Sequence, residues 1–167
     1  MKKIFKIISN YTEEQTEIGS IKLTKEESSR VERIVEENVF LKYDGEVCHW
    51  SNGDLMYAIM ITDDKGISEM IELDNKMHKD FTNGWTKCED ITESVLYDVF
   101  DTSVFGFFEN EMIYDFFIWR SQNLTKDDVL DKILKFGIDS LTKNDKLVLE
   151  DKKMILPFDL ESDENKL

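Results

Sequence analysis

Cys48, His49, His78 and Cys88 are the side chains of this sequence that could hold a metal ion or exchange a proton with a substrate. A zinc centre needs ligands that converge, and the local device is a Cys-x-x-Cys pair or histidines a few residues apart. Neither spacing occurs, and Cys48 and His49 are neighbours that leave opposite faces of an extended strand. The sequence therefore predicts no metal and no disulfide; the two cysteines are expected as reduced thiols, with Cys48 a small buried hydrophobe. His78 with Asp80 could orient an imidazole for proton transfer, but no recognisable nucleophile stands nearby. The 7 glycines are spread singly and form neither a GxGxxG nor a GxxxxGK phosphate loop. Acid pairs such as Glu109 with Glu111, or Asp127 with Asp128, arise freely in a chain with 36 acids, and the second pair suits the positive end of a helix. No catalytic residue and no cofactor is assigned.

Binding chemistry has a firmer basis. Between Lys87 and Arg120 the chain runs 32 residues without a basic side chain, and that window carries eight carboxylates among nine aromatics. It reads as acidic surface over an aromatic core. Asp98, Asp101, Glu109, Glu111 and Asp115 are the candidate charges for steering a basic partner. Most of the aromatics must be core, because a domain of this size cannot expose nine rings and stay in solution. Tyr97, Tyr114 and Trp119 are the candidate anchors, since each has a polar atom that suits a wet interface.

The whole composition points the same way. The net charge of −15 comes from 36 acids against 21 bases, and both halves of the chain are acidic. Such a surface repels nucleic acid phosphates and anionic membranes, and no basic patch offsets it. Met1-Lys2-Lys3 followed by Ile4 to Ile8 has the charge of a signal peptide, but its apolar run is too short and no small-residue cleavage site follows. A soluble, cytoplasmic protein is expected.

The elements that must position these residues follow from periodicity. Lys3 to Ser9 is a first strand. Thr24 and Glu27 make a capping box for a helix over residues 25 to 37, with Val31, Ile34 and Val35 as its buried stripe. The period then changes to two: Val39–Tyr43, Glu46–Trp50, Leu55–Thr62 and Ile67–Leu73 read as strands of an antiparallel meander with glycines 45, 53 and 66 at the turns. Residues 74 to 90 read as a loop and 91 to 101 as a short helix. Residues 104 to 120 fit either an aromatic hairpin or a helix. Thr125 caps a further helix, with Val129, Leu130, Ile133 and Leu134 facing inward and Gly137 as its stop. Lys146–Glu150 and Lys153–Pro157 are expected to close a last hairpin. The fold class is α+β: one domain over residues 1 to 160, an antiparallel β-meander (about residues 39–73) packed by two to four helices, and an acidic, disordered tail at 161 to 167.

No motif ties the chain to a family. In size, acidity and lack of catalytic groups it resembles the small inhibitors that bacteria and phages direct against basic nucleases, a likeness of composition alone. The resemblance implies a non-catalytic immunity protein that binds and neutralises a basic protein such as a bacterial nuclease toxin. A phage anti-restriction or anti-CRISPR type inhibitor is the alternative within that class. From a different class stands a small-ligand or hydrolytic enzyme using the His49, His78 and Cys88 region.

Overall fold

Strand β1 (Lys3–Ser9) places Phe5 and Ile7 on one face and Ile4 and Ile8 on the other, the alternation that a strand in the middle of a sheet requires. The computed structural model describes residues 2–10, 23–38, 42–43, 46–47, 50–52, 55–78, 85–99 and 109–155. These fall into two compact units, one up to Thr92 and one from Glu93 onward. The fold is α+β. Among the described residues no helix is long and apolar enough to cross a membrane.

The first unit holds helix α1 (Lys25–Asn38), the short strands β2 (Lys42–Tyr43), β3 (Glu46–Val47) and β4 (Trp50–Asn52), strand β5 (Leu55–Thr62), helix α2 (Asp64–Met77) and strand β6 (Thr86–Asp90). Four strands form an antiparallel sheet in the order β4-β5-β1-β6, and β2 pairs with β3 separately. The register sets Phe5 opposite Met60 and Ile7 opposite Ala58. With Ile34 of α1 and Ile67 and Leu73 of α2 these residues make the core. The capping box of α1 forms as its sequence implies: the Thr24 amide donates to Glu27 at 3.1 Å and the Glu27 amide to the Thr24 hydroxyl at 3.2 Å.

The expected meander is present only in part. Lys42–Tyr43, Glu46–Val47 and Leu55–Thr62 are strands within the expected runs, and Trp50–Asn52 is a strand that reaches into the expected turn, but Ile67–Leu73 is helix, not strand. Asp63 is an N-cap whose carboxylate accepts from the Gly66 amide at 2.8 Å, so the polar run expected to be a turn starts a helix. Over the fourteen residues of α2, Ile67, Met70, Ile71 and Met77 recur at helical spacing; seven residues alone had looked like an alternating strand. Gly66 serves close approach, since a methyl group there would collide with the Thr62 hydroxyl and stand 3.3 Å from Thr62 Cβ. Gly45 and Gly53 lie outside the described residues. The loop expected over 74 to 90 is also corrected, for α2 continues to Met77 and Thr86–Asp90 is an edge strand on β1. Asn75 joins the two, donating to the Thr86 carbonyl at 2.8 Å and accepting from its amide at 2.7 Å.

The second unit continues from helix α3 (Thr92–Leu96) into α4 (Glu109–Asn123), α5 (Lys126–Phe136), a 3-10 turn (Ile138–Ser140) and α6 (Lys143–Leu149). From Glu109 the open alternative resolves as helix. Thr125 caps α5 in a reciprocal box with Asp128, and Gly137 ends it at φ 83°, a conformation that favours glycine. The last expected hairpin is wrong: Thr142 and Asp145 form a second capping box and start α6. Tail residues 161 to 167 lie outside the described residues.

Candidate functional site

The most chemically loaded place in the second unit is a buried charge cluster. Arg120 of α4, Lys132 of α5 and Asp145 of α6 are all buried. Arg120 pairs through Nη2 with Asp145 Oδ1, and Lys132 Nζ lies 2.8 Å from Asp145 Oδ2. The same Oδ2 accepts the Thr142 amide at 2.8 Å. Burial opposes charge on Asp145, but the Lys132 hydrogen bond, the Thr142 amide and the charge of Arg120 outweigh it and hold the carboxyl below the ordinary aspartate range. Arg120 also donates from Nε to the Leu96 carbonyl at 2.7 Å, so one side chain reaches the end of α3 and the start of α6. A carboxylate occupied by two cations and an amide is a poor proton acceptor; the cluster ties helices together.

This cluster explains why α5 is rotated from the expected orientation. Val129 and Lys132 are buried, while Leu130 is 50% and Leu134 82% exposed. Lys132 occupies the inward register because Asp145 waits there as its counter-ion, and two leucines expected inside are turned to solvent. Sequence reading missed Arg120, Lys132 and Asp145. The available signals were Lys132 three residues after Val129 and the Thr142-x-x-Asp145 spacing.

The candidate partner-binding residues are distributed as follows. Asp98 is exposed just after α3, in the left-handed region at φ 55°, with Oδ2 at 3.9 Å from Arg120 Nη1. Tyr97 is only 5% exposed; its ring meets Phe136 edge-on at 5.9 Å and lies under the Lys135 ammonium at 5.1 Å. Trp119 is 6% exposed on α4. Neither ring is presented at the surface. Glu109, Glu111, Tyr114 and Asp115 lie on the first half of α4, and Asp101 falls outside the described residues.

The window is less bare of cations in space than in sequence. Glu89 meets Lys6 at 3.7 Å and Asp90 meets Lys3 at 3.5 Å in the first unit; in the second, Glu93 meets Lys135 at 2.7 Å. Tertiary structure thus brings bases from elsewhere onto carboxylates that the linear gap had left alone.

The histidine and cysteine candidates are separated by environment. His78 is buried at the end of α2, with Nδ1 at 2.8 Å from the Asp74 carbonyl. A carbonyl only accepts, so Nδ1 carries the proton. Cys88 is an exposed free thiol on β6, and partial burial of the group with the nearby Asp90 carboxylate pushes its pKa up, away from the reactive thiolate. Cys48 and His49 lie outside the described residues, and among the described residues no group of three or more His, Cys, Asp or Glu could hold a metal ion.

No family model, no curated protein and no solved structure matches the chain.

Proposed function

We propose that the protein is a stoichiometric, non-catalytic inhibitor that binds and neutralises a basic protein partner, of the kind a bacterial immunity protein is to a nuclease toxin. The observation that carries this reading is the uncompensated acidity. The chain has a net charge of −15, while many of its cations are engaged internally: Arg120 and Lys132 are buried on Asp145, and Lys3, Lys6, Arg30, Lys76, Lys126, Lys135 and Lys152 each hold a carboxylate of the same chain. The surplus negative charge favours a basic surface by long-range attraction. Blocking a toxin in the cell that makes it and disarming a host nuclease, as a phage inhibitor does, are the same physical act, so both fit.

The test is titration against purified basic nucleases, beginning with the product of any gene beside this one. Inhibition that completes at one chain per enzyme, with an association rate that falls as salt rises, is the expected result. Inhibition at far below equimolar amounts would indicate catalysis, and failure against every basic nuclease would remove the reading.

A further inference from the structure

We propose that the outer face of α5 docks a basic, amphipathic helical segment of the partner protein, its apolar side on Leu130 and Leu134 and its lysines or arginines on Asp127 and Asp131. The inference rests on the reading of the chain as a binder of basic proteins and gives that reading a location.

The helix supplies two parallel rows. Leu130 and Leu134 are one turn apart, as are Asp127 and Asp131, and each aspartate precedes a leucine by three residues, so the rows lie side by side. Ile138, 69% exposed, extends the apolar character just beyond Gly137. Within each row the spacing is roughly 6 Å, the rise of four helical residues, which a partner helix matches with leucines or lysines four apart. The charge on this face is unopposed for a structural reason. All three lysines of α5 are held by other elements: Lys126 by Asp151 at 2.7 Å, Lys132 by Asp145 at 2.8 Å and Lys135 by Glu93 at 2.7 Å. Lys135 stands one turn after Asp131, but its ammonium is held on Glu93, and Asp127 and Asp131 are exposed and make no salt bridge among the described residues.

Charge also decides between occupants. A second copy would bring another −15 chain and a second aspartate row onto the first. Residues 161 to 167 of this chain, with Glu161, Asp163 and Glu164 against Lys166, have the wrong sign.

The experiment uses the full chain and a fluorescein-labelled helical peptide of about 18 residues, long enough to form a helix and more than cover both rows, built of leucines four apart and lysines. Its controls replace every leucine by serine or every lysine by glutamate. Fluorescence anisotropy should show the lysine–leucine peptide binding at least about tenfold more tightly than either control. Leu130→Ser with Leu134→Ser should weaken that binding by about tenfold or more. Asp127→Asn with Asp131→Asn should weaken it and flatten its salt dependence, whereas Glu32→Gln with Glu36→Gln on α1, an equal change of charge, should leave it within about twofold. Circular dichroism verifies that each variant is folded. The inference is overturned if the wild type does not bind the peptide, if the α5 pairs act no more strongly than the α1 pair, or if the wild type self-associates and the leucine variants abolish that. A nuclease that is inhibited equally by wild type and α5 variants would sink this location while leaving the basic-partner reading intact.

Discussion

Asp145 is the residue on which the second unit turns, because its carboxylate bridges two buried cations. Removing its charge would leave Lys132 without its buried counter-ion and Arg120 with only exposed Asp98, 3.9 Å from Nη1, and stranding buried charge costs about 3–5 kcal/mol. Asp145→Asn should therefore lower the stability of the unit by that order, measured by urea unfolding. Lys132→Met should cost less, since Asp145 keeps Arg120 and a costly desolvated ammonium is gone; equal losses would show that the cluster is not organised around the carboxylate. In the first unit, Glu27 is held at a pKa of about 2 by the Lys76 ion pair and then by the Thr24 amide. Its folded pKa is depressed below the ordinary 4.5, so its contribution is fully present above the unfolded value and is lost as pH falls from about 4.5 toward 2. The melting-temperature gap between wild type and Glu27→Gln should be widest near neutrality and close across that acid range. A constant gap would mean that the pair does not act through the charge of Glu27. The Thr24–Glu27 box was legible in the sequence because its partners are three residues apart, whereas Lys76 and Asp145 meet partners from other elements, which no local pattern announces.

Elements were readable where a cap and a long apolar period agreed. The helix from Thr24, the helix from Thr125 and the strand Leu55–Thr62 meet both conditions or carry an unbroken apolar run, and all three form. Ile67–Leu73 fits either element because seven residues make only about two helical turns or put four residues on one strand face; Asp63 decides the matter by capping the helix. The rotation of α5 was illegible for a different reason, since a lysine in an apolar register looks like an error until its buried anion is known. Gly66 offers a direct test of how α2 leaves β5. Alanine in a helix is ordinarily favoured over glycine by about 1 kcal/mol. Here the added methyl meets buried, β-branched Thr62, and overpacking costs about 1–3 kcal/mol. Gly66→Ala should destabilise the protein in the wild-type background and do so much less beside Thr62→Ala, read from the four denaturation midpoints of the double-mutant cycle. The same cost in both backgrounds would show that the close approach is not what requires glycine.

For the whole molecule, the net charge of −15 acts over a distance that no single residue controls. At 0.1 M ionic strength the Debye length is about 10 Å, so at low salt a basic partner is drawn by the summed field and at high salt only by charges it nearly touches. Composition made this legible at once, but not its distribution: the lysine-free window acquires Lys6, Lys3 and Lys135 through folding, while Asp127 and Asp131 on a lysine-bearing helix make no salt bridge among the described residues. Field and contact therefore belong to different kinetic steps. Stopped-flow association with an inhibited basic nuclease should slow by about tenfold or more between 20 and 500 mM salt, with the dissociation rate changing much less. Neutralising Glu26, Glu32, Glu36 and Glu72, exposed carboxylates of the first unit, brings the net charge from −15 to −11 and should slow association modestly at low salt, with no effect on dissociation. Leu130→Ser with Leu134→Ser should show the converse, a faster dissociation at unchanged association. An association rate indifferent to salt would mean that the acidity serves solubility alone, and the charge argument for a basic partner would fall with it.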